Sequence, residues 1–112
     1  MDVTCHDQES VRIVVPSGRL DSNTAPDFET ALMGSIEETS AGVVIDFSQL
    51  DYVSSAGLRI FLMAAKRMKA ASRKLSVCEM SNAIHDVFRI SGFLPLFKVL
   101  PGRDEAVSAV KN

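Results

Sequence analysis

Two adjacent hydroxyls followed by a glycine, Ser54-Ser55-Ala56-Gly57, are the residues of this chain best placed to do chemistry. They stand between a polar stretch, Ser48 to Asp51, and a long amphipathic pattern that starts at Leu58. A serine there can cap a helix, and the N–H groups left unpaired at a helix start, with the positive end of its dipole, favour negative charge. The charge would have to arrive from elsewhere, because no acidic residue adjoins the two serines. Ser54 suits the cap. That leaves Ser55 at the first helical position with its hydroxyl directed outward, where a phosphate would bring about −1.5 to −2 charges without unfolding the domain. A partner docked against the helix start would then meet new bulk and charge.

Other chemistries are poorly supplied. Neither serine has a glycine two residues before it, so the nucleophile elbow of hydrolases is missing. His6 and His85 are the only imidazoles, and neither has a reason in the sequence to approach Ser55. Cys5 and His6 point to opposite sides of a strand and make a poor chelating pair. Gly57 stands alone, so there is no glycine-rich phosphate loop. These patterns predict neither an enzyme nor a bound metal or cofactor.

The elements that must position the serines follow from periodicity. Val3 to His6 reads as an edge strand, and Val11 to Val15 as a second strand across a polar turn. Pro16-Ser-Gly18 is expected to interrupt that strand before Gly18-Arg-Leu-Asp21. Asn23 or Thr24 can cap a helix carrying Phe28, Leu32 and Ile36 on one stripe, with Asp27 near a capping-box position and Gly42 as its stop. Val43 to Phe47 is mostly apolar without clear alternation, as in a central strand covered on both faces. The stretch after it reads as a polar turn.

Leu58, Phe61, Leu62, Ala65 and Met68 then give the second helix, with Arg59 and the basic residues from Lys66 to Lys74 on a solvated face. Leu75 to Cys78 is a strand, and Ser81 caps a helix burying Ile84, Val87 and Phe88 that Gly92 stops. Phe93 to Phe97 is expected to be a packed apolar connector to a last strand ending at Leu100. A final helix uses Ala106, Val107 and Val110. Alternating strands and helices predict an α/β fold, with a mixed, mostly parallel sheet of about five strands, an antiparallel N-terminal hairpin and about four helices.

Composition sets the bounds. The chain has 112 residues, 46% hydrophobic and 23% charged, with a formal net charge of −2. That suits one domain over residues 1–112, with a core of its own and no basic field for nucleic acid. No apolar run is long enough to span a bilayer, and the start lacks the features of a signal peptide. With two cysteines and no export signal, the expected location is the cytoplasm and the expected thiols are free.

Asp46-Phe-Ser-Gln-Leu-Asp-Tyr-Val-Ser-Ser-Ala-Gly-Leu-Arg59 resembles the signature of STAS domains, specifically bacterial anti-sigma factor antagonists. Gly18-Arg-Leu-Asp21 with Asn23-Thr24, Leu75 to Cys78, and Val87 to Gly92 agree in order and spacing. The resemblance, from about Val11 to Val99, implies the STAS fold and regulation by partner switching. The unphosphorylated form would bind a GHKL-type serine kinase that is also the anti-sigma factor. Phosphorylation of Ser55 would release it, and a metal-dependent serine phosphatase would reset it. ATP and Mg²⁺ would belong to the kinase. The implied contact surface is Asp21, Asn23, Thr24, Ser54, Ser55, Ala56, Gly57 and Arg59. Ser54 stands where family members often carry Asp, and Ala56 replaces a second hydroxyl. A STAS subunit of a membrane transport system, binding an ATPase or transporter without phosphorylation, is the alternative. A hydrolase using Ser55 is remote.

Overall fold

A computed structural model describes residues 1–111. Its strands are β1 (Asp2–Gln8), β2 (Val11–Leu20), β3 (Val43–Asp46), β4 (Leu50–Val53), β5 (Leu75–Cys78) and β6 (Lys98–Leu100). Its helices are α1 (Ala25–Glu37), α2 (Ser55–Ala70), α3 (Asn82–Ile90) and α4 (Arg103–Val110), with a 3-10 turn at Leu94–Leu96. The sheet runs β1-β2-β3-β5-β6, antiparallel at β1–β2 and parallel elsewhere, as the alternating pattern requires. The two-residue loop of the N-terminal hairpin holds Glu9 and Ser10 at φ 52° and 66°. Positive φ at both loop positions matches the twist of the flanking strands.

The sheet separates two cores of unequal size. Val14, Val43, Ile45 and Val77 face α1, α2 and α3. On that side Phe61 meets Phe28 at 5.2 Å and Phe47 at 5.0 Å, and Phe88 meets Phe97 at 5.3 Å, all edge to face. Ile13, Val15, Val44 and Cys78 point the other way, where α4 covers them with Ala106, Val107 and Val110. Every residue of β3 is buried, in keeping with a central strand.

Several local expectations need correction. The stretch before Ser54 is not wholly a turn: Ser48 and Gln49 turn, but Leu50–Val53 forms β4, parallel to the far end of β2. Pro16 does not break β2. The strand pairs with β3 at Arg12–Val14 and with β4 at Gly18–Leu20, and Pro16 falls between these ladders, where no parallel neighbour needs the N–H it lacks. Gly42 does not stop α1, which ends at Glu37. Its backbone runs against α4, where an added Cβ would lie 2.6 Å from the Val110 carbonyl oxygen. The Leu94–Leu96 connector is only partly packed, since Leu96 is 55% exposed while Phe97 is buried.

Side chains close what the strands leave open. Arg73, expected on a solvated face, is half-buried and donates to the Ile36 and Ala41 carbonyls, satisfying the end of α1. At the sheet's other face Arg103 pairs with Asp46 at 2.8 Å and fixes the start of α4. Burial opposes ionisation of Asp46, but hydrogen bonds from Ser48 and Arg103 outweigh it and hold the carboxyl below its ordinary range. A depressed folded value contributes stability above the unfolded value that is lost as pH falls through the folded one. Asp46→Asn should therefore cost about 2 kcal/mol at neutral pH. Urea titrations across pH should show the deficit closing below about pH 4.

Candidate functional site

The end of β2, the end of β4 and the start of α2 meet at one point. The Ser54 N–H donates to the Leu20 carbonyl at 2.9 Å, which ties the entry of α2 to the last residue of β2. Gly57, one turn further on, is buried, and a Cβ there would lie 2.6 Å from Leu20 Cγ and 2.9 Å from Val53 Cγ2. Only glycine lets the helix come this close to both strands. Ser54 is extended, at φ −90° and ψ 176°, and its Oγ accepts from the Gly57 N–H at 3.4 Å. It is the N-cap, as its position in the sequence predicts.

Ser55 is then the first residue of α2. It is exposed, and its hydroxyl makes no hydrogen bond among the described residues. No acidic residue lies in the first turn of α2. Ala56 is half-buried against the larger core and Arg59 is exposed one turn beyond Ser55.

The loop after β2 lies alongside through Leu20. Asp21 Oδ1 accepts from the N–H groups of Asn23 at 2.9 Å and Thr24 at 3.2 Å, and Arg19 donates to Oδ2 at 3.3 Å. Desolvation opposes ionisation of Asp21, but these donors prevail and its carboxyl titrates below the ordinary range. Thr24 occupies the N-cap position of α1 without capping it. Its Oγ1 accepts from the Asp21 N–H at 2.9 Å and donates to the Arg19 carbonyl at 2.9 Å, so it braces the loop instead. Asn23 is exposed. Asp21 shapes the turn that follows Leu20, the residue to which the entry of α2 is tied.

The sequence alone does not single out three further residues, Tyr52, Ser91 and Phe93. Tyr52 is 40% exposed, and the Arg19 guanidinium stacks on its ring at 4.0 Å from the centroid. The outward phase of β4 would have flagged Tyr52, had that strand been recognised. Ser91 and Phe93 form the far wall of a hollow beside Ser55, and only tertiary packing brings them there.

The remaining reactive groups lie elsewhere. Cys78 is buried, and burial together with the Asp46 carboxylate pushes its thiol up to about 12, so it stays protonated. His6 sits 3.5 Å from Arg103, and His85 is on α3; neither shares a hydrogen bond with Ser54 or Ser55. No group of three or more metal-ligating side chains is found among the described residues. No helix of the described chain is long and apolar enough to cross a membrane.

The STAS domain family model matches residues 2–106. This chain is a STAS domain. It is 35% identical over its whole length to BtrV of Bordetella bronchiseptica, designated a candidate anti-sigma factor antagonist, and spans 97% of that protein. Among solved structures, an anti-sigma factor antagonist from Mycobacterium paratuberculosis superposes with a TM-score of 0.90 at 25% identity, over 99% of this chain and 94% of that one. SpoIIAA, solved unphosphorylated, shares the fold with a TM-score of 0.78 at 16% identity, over 96% of this chain and 94% of its own. A phosphorylated form of SpoIIAA from Bacillus matches at 0.73 and 17% identity, over 98% and 100% of the two chains.

Three substitutions separate the parts of this STAS helix start. Gly57→Ala should lower stability by about 1–3 kcal/mol, because Leu20 and Val53 must move aside. Ser54→Ala should cost about 1 kcal/mol through loss of the cap. Ser55→Ala should lie within about 0.5 kcal/mol of the parent in the same denaturation series.

Proposed function

We propose that this STAS domain is a phospho-regulated anti-sigma factor antagonist switched at Ser55. The unphosphorylated form binds a GHKL-type serine kinase that doubles as the anti-sigma factor, and so frees the sigma factor. In the switching step the Ser55 oxygen attacks the γ-phosphorus of kinase-bound ATP. The bond to the β-phosphate oxygen breaks, ADP leaves, and the hydroxyl proton passes to a base on the kinase. A metal-dependent serine phosphatase returns the hydroxyl by hydrolysis.

The observation that carries this reading is the division of labour between the two serines. Ser54 is spent on the cap while Ser55 is exposed with a free hydroxyl at the positive end of α2. A dianionic phosphate there gains about 0.3–1 kcal/mol from the helix dipole, and no carboxylate in the first turn opposes it. The fold can therefore carry the phosphate. What changes is the surface, where a kinase fitted to a neutral hydroxyl would meet a new dianion. Asp21, Asn23, Thr24, Ala56 and Arg59 border this surface, while Gly57 sets its height from beneath. The antagonists among its relatives support the assignment, and the two SpoIIAA forms give it a precedent in the same fold.

Capture of partners from the native cell on the unphosphorylated protein should retain a GHKL-type kinase. With that kinase and Mg·ATP, mass spectrometry should find one phosphate, on Ser55, and none on the Ser55→Ala protein. Ser55→Ala should keep kinase affinity while Ser55→Asp loses about tenfold or more. A phosphate on another residue, or equal affinity for both variants, refutes the switch at Ser55.

A further inference from the structure

From Ser55, two hollows follow the exposed side of α2 in file. The first, about 250 Å³, lies between Ser55, Leu58, Arg59 and Leu62 on the helix and Ser91 and Phe93 opposite. The second, about 350 Å³, begins at the same Leu62 and continues past Ala65, Lys66 and Lys69 to Pro95 and Leu96. Together they form one groove between α2 and the Ser91–Leu96 connector. Ser55 to Lys69 spans about 21 Å of helix axis, the length of about four helical turns.

Its chemistry is one-sided. The floor is apolar, from Leu58 and Leu62 to the exposed Leu96. No carboxylate lines either hollow. The cations on the rim, Arg59, Lys66 and Lys69, make no ion pair among the described residues, although Arg12, Arg67 and Arg103 all have carboxylate partners. An apolar floor with unpaired cations along one side is complementary to an amphipathic helix carrying acidic residues beside its apolar stripe.

We infer that this groove seats an acidic amphipathic helix of a protein partner. Its apolar stripe lies over Leu58, Leu62 and Leu96, and its carboxylates face Lys66, Lys69 and Arg59. This deepens the proposed switch and, in its regulatory part, rests on it. Arg59 stands four residues after Ser55, the spacing at which side chains on a helix meet. A phosphate on Ser55 draws Arg59 into an intrahelical pair and sets a dianion at the mouth of the groove. The acidic helix loses a cation and gains a repulsion.

The test uses the isotope-labelled full chain and two blocked peptides with leucines at i, i+3, i+4 and i+7. One carries glutamate at the flanking positions and the other lysine. The glutamate peptide should shift the amide resonances of Leu62, Ala65, Lys66, Lys69 and Leu96, and the lysine peptide should not. K66E/K69E changes two exposed side chains, so the fold should be kept, as an unchanged spectrum elsewhere would show. Its affinity for the glutamate peptide should fall about tenfold or more. Equal binding of both peptides, shifts elsewhere on the surface, or an unaffected K66E/K69E overturns the inference. Binding to phosphatidylglycerol vesicles without binding to the glutamate peptide also overturns it, in favour of a lipid surface. Glutamate-peptide binding that Ser55→Asp leaves unchanged supports the groove and counts only against its control by Ser55.

Discussion

The contact of Gly57 with Leu20 and Val53 sets the position of the start of α2 and of the two serines it carries. A single methyl on that backbone would overlap both strand ends. The helix therefore starts at a fixed height above the sheet, with its entry tied to Leu20 by one backbone hydrogen bond. Ser54 turns inward to close the first turn, and Ser55 is left outside on a rigid mount. A site built on regular elements holds its geometry better than one carried on a loop. Here the loop beside it is stiffened as well, by the reciprocal bonds of Asp21 and Thr24.

Charge is distributed by task. Arg12, Arg73 and Arg103 each complete a polar group that the fold would otherwise leave unsatisfied, at the end of α1 or beneath α4. These are cations of structure. Arg59, Lys66 and Lys69, which have no carboxylate partner among the described residues, lie on the outer side of α2 and border the two hollows that run from Ser55. Because solvent screens them, they add little to the fold.

Much of this architecture was legible in the residues. The spacing of Phe28, Leu32 and Ile36, and of Leu58, Phe61, Ala65 and Met68, marked two helices that the structure contains. The mostly apolar run at Val43–Phe47, without alternation, marked the central strand. The failures share a cause, which is that tertiary neighbours decided them. Leu50–Val53 has only four residues with Asp51 and Tyr52 outward, too little alternation to declare a strand until β2 is seen beside it. Pro16 reads as a breaker until the gap between two ladders explains it. Gly42 reads as a helix stop, but the constraint on it comes from Val110, far along the chain. Ser54 as the cap and Ser55 as the exposed first residue of α2 were legible from capping chemistry, whereas Ser91 and Phe93 came to the groove only through folding.

The sheet that divides the two cores has a consequence for how the molecule can be held. All the features gathered around Ser55 lie with α1, α2 and α3, while α4 stands alone on the reverse, anchored by Arg103 to Asp46 and by the Ser76 hydroxyl to the Ala106 carbonyl. A protein seated along α2 covers one side of the partition and leaves the reverse bare. Even when engaged, this small domain keeps a whole helix turned toward solvent.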